Sequence, residues 1–365
     1  MTSLAASADT KLNESATPTG LAESTRAEFA ALLSGCAIYD LSGRAKLAIT
    51  GGDRVRWLNG MISNNVRDLP ANQGVYSFVL NAQGRIQADL YAFQRGESLL
   101  VETESQQREK VLQLFDRYII ADDVEIADLT DKLSSIGLTG SQAREVLERA
   151  GIVVAELTVA ELTGLQFVEA KWRETPITVV RSEEVLGDSW QVWIEHEYRS
   201  QLWQELERQG GLPVSVHALN AFRISRGIPQ FGVDIRDRDL PQETGQNRAL
   251  SFTKGCYLGQ EIVERIRSRG AVHRQFAAFD VSGPLPEAGT KIVAGEKAVG
   301  EVTSGALLPF ADGDRSVALG YLRREAAGKE LVAGAAKLTV ASLPITGAFR
   351  GAVTGAFKES KPSAH

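Results

Sequence analysis

Over the first 270 residues, apolar positions fall into short runs with two different periods. Ala45-Lys46-Leu47-Ala48-Ile49 alternates as a half-buried strand does. Asp53 stands where a helix N-cap belongs, and Val55, Leu58, Met61 and Ile62 follow at helical spacing. Residues 75–80 and 85–93 read as two strands joined by Asn81-Ala82-Gln83-Gly84, with glycine closing the turn. Arg95-Gly96 turns the chain again, into 99–101. The spacing predicts a helix over 106–118, with Val111, Leu112, Phe115 and Ile119 on one face. Thr103 and Gln106 have capping-box spacing ahead of it, and 122–126 resumes extended chain.

Further on, Ser141 can cap a helix that Gly151 stops. A hairpin around Gly187-Asp188 joins 177–180 to 190–194, and helices are predicted over 198–209 and from Val216 to Gly227. Helices mixed with antiparallel hairpins predict an α+β fold rather than a doubly wound sheet. After His273 the character changes. Short apolar runs at 276–281, 291–293, 299–302, 317–322 and 336–340 alternate with Gly/Pro turns, the pattern of a small β-barrel or sandwich. The expected organisation is a disordered leader over 1–30, with order beginning near Gly35, and an α+β region over 31–270 built as two interleaved domains. A C-terminal β-barrel over 271–350 and a flexible tail over 351–365 complete it.

The 365 residues exceed what one core usually serves, and a formal charge of −6 gathers neither nucleic acid nor anionic lipid. No apolar run approaches the roughly 18 residues of a membrane helix, and the N-terminus does not read as a secretory signal. Two distant cysteines, Cys36 and Cys256, build neither a disulfide framework nor a cysteine-based zinc site, so a reducing cytoplasmic setting is expected. A strand-borne GxGxxG, a P-loop, CxxC, HExxH and GxSxG are all missing.

The segment richest in chemistry is Lys254-Gly255-Cys256-Tyr257-Leu258-Gly259-Gln260-Glu261. A helix should follow it, with Ile262, Val263 and Ile266 as its stripe, Arg267 and Arg269 in its last turn and Gly270 as its cap. A cysteine before a helix N-terminus and beside a lysine is favoured as thiolate. A buried, inert cysteine between two turn glycines fits the same residues equally well. Cys36, with no basic neighbour, reads as core.

This octet resembles the K-G-C-[FY]-x-G-Q-E signature of the YgfZ family, which shares its fold with the T-protein of glycine cleavage. Four further segments resemble that family in order: residues 52–60, residues 81–90, the stretch from Phe222-Arg223-Ile224 to Leu240-Pro241-Gln242-Glu243, and Val299-Gly300-Glu301-Val302-Thr303-Ser304. The resemblance implies a ring of ferredoxin-like, antiparallel α+β domains followed by a small C-terminal barrel, with tetrahydrofolate or a one-carbon derivative bound centrally. It also implies support for iron–sulfur enzymes, including a tRNA-modifying one, through those clients or their assembly proteins.

On this reading Cys256 is the functional thiol and Lys254 holds its thiolate. Glu243 faces the pterin, because a carboxylate accepts paired ring donors well. Asp89 lies on the folate side, where T-proteins carry paired aspartates and this chain reads Ala88-Asp89. Asn81, Arg223 and Tyr257 are candidate folate-side groups, although a turn former, a structural ion-pair partner and a packed ring fit those three as well. Arg265, Arg267, Arg269 and Arg274 read as a solvated basic face that could meet a glutamate tail, and direct nucleic-acid binding is not expected. Two other functions remain open: an aminomethyltransferase of the T-protein kind, and a non-catalytic folate-binding scaffold.

Overall fold

A computed structural model describes residues 21–153, 162–270, 272–345 and 349. The chain opens with α1 (Glu23–Ser34), β1 (Ala37–Asp40), β2 (Ala45–Thr50) and α2 (Arg54–Met61). The hairpin strands β3 (Gly74–Leu80), β4 (Ile86–Arg95) and β5 (Ser98–Thr103) follow, then α3 (Arg108–Arg117), β6 (Glu125–Asp128), β7 (Leu133–Thr139) and α4 (Ala143–Arg149). Next come β8 (Ile152–Val153), β9 (Phe167–Trp172), β10 (Thr175–Arg181), β11 (Ser189–Glu195), α5 (Arg199–Arg208), β12 (Leu212–Pro213), α6 (Val216–Ser225) and α7 (Gln260–Arg269). The last strands are β13 (Arg274–Ser282), β14 (Lys291–Ala294), β15 (Lys297–Phe310), β16 (Gly313–Arg323), β17 (Leu331–Ala333) and β18 (Ala336–Ala341).

These strands make an α+β body of two sheets followed by a closed six-stranded barrel. One sheet has five strands in the order β3-β4-β5-β2-β6; the other has seven, in the order β12-β1-β7-β11-β10-β9-β8. The whole five-stranded unit is inserted between β1 and β7, neighbours in the larger sheet.

Alternation decides which face of the smaller sheet is which. Leu47, Ile49, Ala88, Leu90, Ala92, Leu99 and Val101 point to one side, where Trp57 and Leu58 of α2 and Val111 and Phe115 of α3 cover them. The intervening residues face the larger sheet. Phe93 and Leu100 meet Phe167, Val180 and Trp193 there, with the Phe93 and Trp193 rings edge to face at 4.9 Å. Beyond this apolar seal the same face carries Asp89, Tyr91 and Glu102, and the two sheets diverge around a cavity.

The ordered chain begins earlier than the sequence pattern suggests. Residues 23–30, expected in the leader, form most of α1, and Phe29 and Leu32 pack with Phe222 of α6 against Leu308, Phe310 and Leu319 on the outside of the barrel. Three predicted caps also differ. Asp53 makes no cap bond and accepts instead from Asp123 N, Thr103 Oγ1 donates to Asp89 O, and Ser141 Oγ donates to Ser34 O while Gln142 takes the N-cap of α4. The tail expected over 351–365 lies outside the described residues. Among those described, no helix is long and apolar enough to cross a membrane.

Candidate functional site

The cavity between the sheets has a volume of about 380 Å³. Its walls are aromatic and apolar, with Tyr76, Tyr91, Phe222, Phe231 and Leu219, and set among them are Asp89, Glu102, Glu104, Glu183, Arg44, Arg223 and Arg248. The polar groups are cross-braced. Glu183 accepts from Arg248 Nε at 2.6 Å, from Arg248 Nη2 at 3.1 Å and from Tyr91 Oη at 2.8 Å. Asp89 accepts from Tyr76 Oη and from Gln107 Nε2, both at 2.7 Å. Burial pushes the Asp89 carboxyl upward, and those two hydrogen bonds work against it. The Arg248 guanidinium lies over the Tyr76 ring at 4.6 Å, and Tyr76 and Tyr91 are 5.1 Å apart.

Of the residues proposed from sequence, Asp89 and Arg223 line this cavity. Arg223 is engaged as an ion-pair partner. It bonds Asp234 Oδ2 at 2.7 Å, Asn220 Oδ1 at 2.8 Å, Ser304 Oγ at 2.9 Å and Ile228 O at 3.1 Å. Glu243 is placed elsewhere. It accepts from Arg274 Nη2 at 3.0 Å, an arginine it shares with Asp239, so its carboxylate serves the contact between body and barrel rather than the cavity. Arg274 therefore leaves the proposed basic face. Asn81 acts as a turn former, its Oδ1 accepting from Gln83 N and Arg85 N at 3.0 Å. Tyr257 is buried beside Tyr76, Phe78 and Val263.

The signature segment forms a loop pinned to the C-terminal end of α2. Cys256 is exposed, which sets aside the buried-cysteine alternative. Cys36 is buried, and burial pushes its thiol up to about 12. Lys254 does not hold the Cys256 thiolate. Its ammonium donates to Asn59 O at 2.5 Å and to Ile62 O and Asn64 O at 2.7 Å, so all three protons are committed to backbone at the end of α2. Burial, and after it the Arg67 guanidinium, lower this ammonium to about 7. The three carbonyls oppose that shift, since a neutral amine could serve only two of them. Leu258 N adds a bond to Gly60 O at 3.1 Å.

Comparison with known proteins places this geometry. The sequence matches the family described as GCVT N-terminal domain over residues 13–254, and the CAF17 C-terminal beta-barrel domain over residues 271–345. The chain belongs to the GCVT N-terminal domain family. Among its relatives, an aminomethyltransferase of Rubrobacter xylanophilus is 27% identical over 305 residues, 83% of this chain and 80% of that protein. A putative chloroplastic transferase of Arabidopsis thaliana is 23% identical over 298 residues, 80% of this chain and 67% of that protein. The crystal structure of glycine cleavage system aminomethyltransferase T from Bartonella henselae superposes with a TM-score of 0.76 at 21% identity, covering 89% of this chain and 91% of that one, which establishes a shared fold.

In this GCVT-family chain, sequence reasoning missed most of the cavity's polar groups: Arg44, Glu102, Glu183, Tyr91 and Arg248. A signal for some of them was present. On strands otherwise apolar at every second position, Lys46, Asp89, Tyr91 and Glu102 all fall on the opposite phase. Glu183 comes from a loop and Arg248 from a single 3₁₀ turn, where no periodicity marks them.

Proposed function

We propose that this protein binds tetrahydrofolate or a one-carbon derivative in the cavity between its sheets, and that Cys256 supports assembly or repair of iron–sulfur enzymes, in the manner of the YgfZ branch of its family. The observation that carries this reading is the separation of two features. A braced aromatic and acidic cavity lies inside the body, and an exposed thiol sits outside it on a loop pinned to α2.

The cavity suits a flat nitrogen heterocycle with donors along its edge: its size is that of a small-molecule site, its walls are rings, and its carboxylates accept. Glu183, oriented by Arg248 and Tyr91, and Asp89, oriented by Tyr76 and Gln107, would hold such a ring. Tetrahydrofolate supplies a one-carbon carrier when bound. Cys256, outside the cavity, is then free for a protein partner: a client enzyme, one that modifies tRNA among them, or an assembly protein. The setting for this role is the cytoplasm.

A second reading, aminomethyl transfer, is favoured by the names of the relatives and by Asp89 in the cavity wall. Counting against it, the position before Asp89 is Ala88, whose side chain belongs to the apolar core behind the sheet. The test is a deletion strain carrying the wild-type gene or Cys256→Ala, assayed for a [4Fe–4S] enzyme under oxidative stress. Restoration by wild type alone is the expected result. Equal restoration would leave a folate-binding scaffold, and no effect of either, together with methylenetetrahydrofolate formed from an aminomethylated carrier, would move the chain to the second reading.

A further inference from the structure

Glu102 occupies an unusual position in the cavity wall. On β5 it lies directly between Tyr91 of β4 and Lys46 of β2, its partners in the two ladders. Its side chain is 1% exposed. Oε1 accepts from Arg44 Nη1 at 2.9 Å. Oε2 has no hydrogen-bond donor. Lys46 Nζ is 3.9 Å away, beyond bonding reach.

The other buried carboxylates of the cavity differ, since both oxygens of Glu183 and both of Asp89 accept at least one bond. Among the described side chains lining the cavity, Glu102 supplies the buried polar atom without a hydrogen-bond donor, Lys46 standing off as an ion-pair partner at 3.9 Å. A carboxylate oxygen desolvated with nothing to accept is costly, and in folded proteins such atoms usually have a partner.

We propose that Glu102 Oε2 is a ligand-binding atom, the acceptor for an N–H group of the molecule that occupies the cavity. Local charge narrows the class of ligand. Arg44 and Lys46 balance Glu102 and Glu104, so the position favours a neutral donor over a cationic amine. Tyr91, the cross-strand neighbour of Glu102, presents a ring and bonds Glu183 through its hydroxyl. A neutral amino-heterocycle lying against Tyr91 would thus meet carboxylates on two sides. This assignment deepens the folate reading and rests on it only for the identity of the occupant.

The experiment titrates wild-type protein and Glu102→Gln with two probes: tetrahydrofolate, and isocytosine, an aminopyrimidinone that offers a donor edge without the rest of folate. Calorimetry reads affinity, and in wild type labelled with ¹³C-glutamate the Glu102 carboxylate resonance reads contact without any variant. The expected result is a shift of that resonance with both probes and an affinity loss of about tenfold or more in Glu102→Gln, whose amide would present N–H to a donor. Binding of isocytosine that depends on Glu102, with no binding of tetrahydrofolate, would overturn the folate reading and keep this one. An unmoved resonance with both probes, or tetrahydrofolate bound equally by wild type and variant, would overturn the assignment of Glu102.

Discussion

Lys254 commits its three ammonium protons to the carbonyls of Asn59, Ile62 and Asn64, while Cys256, two positions on, is exposed. The same octet therefore contains a structural residue and an available one, and stability measurements separate them. Lys254→Met leaves three carbonyls at the end of α2 without their donor, and should destabilise the protein by about 2–4 kcal/mol in urea unfolding. Cys256→Ala removes an exposed side chain and should stay within about 0.5 kcal/mol of wild type. Equal losses in the two variants would mean that the thiol, too, belongs to the scaffold. The sequence placed a lysine beside a cysteine and so suggested an ion pair. It carried no sign that α2, some 190 residues earlier, would present three carbonyls to that lysine.

At the scale of elements, the signature loop and the β3–β4 turn fit each other through two glycines. Gly259, at φ +84°, opens α7, and a side chain there would meet Asn81 O at 2.6 Å and Gly84 Cα at 3.1 Å. Gly84, at φ +67°, would in turn strike Ile262 at 2.7 Å. Two of the segments that resemble the YgfZ family are thus the two halves of one contact. Gly259→Ala should cost about 2 kcal/mol or more, because strain and a backbone clash coincide. Gly245→Ala, at φ +71° with nothing within 4 Å of the added carbon, should cost only about 1 kcal/mol. Thermal unfolding of the pair checks the difference. The hairpins and the barrel were legible in the sequence because period-two alternation and glycine turns are local signals. By contrast, α1 was missed because Phe29, Leu32 and Leu33 make barely one apolar turn, and what they cover is a barrel wall nearly 300 residues away. Glu243 was misplaced for a similar reason: its motif fixed the loop, while the arginine that claims its carboxylate comes 31 residues later on β13.

At the scale of the molecule, body and barrel are joined by polar latches as well as by the apolar contact of α1 and α6. A register shift in β15 between Val302 and Ser304 lets adjacent Thr303 and Ser304 both donate to Asp234 Oδ1, at 2.5 and 2.7 Å, where a regular strand would turn one of them away. The other oxygen of Asp234 holds Arg223, so the barrel motif and a wall of the cavity share one buried carboxylate. Glu301, earlier on β15, makes a second latch, bonding Arg236 of the body at 2.6 Å and Lys291 at 2.5 Å. Burial alone would raise the Glu301 carboxyl, but the hydrogen bonds from Lys291 and Arg236 outweigh it and bring it down to about 2. A carboxyl lowered in the folded state stabilises that state above its unfolded value, near 4.5, and loses the contribution as pH falls toward 2. Wild type should therefore exceed Glu301→Gln by about 1–2 kcal/mol at pH 6, a modest figure because Lys291 is largely exposed. The gap should close between pH 4.5 and 2 in urea unfolding and narrow in high salt. A gap that persisted unchanged at pH 2 would assign the loss to the way the amide hydrogen-bonds and packs in the latch, not to the carboxylate charge.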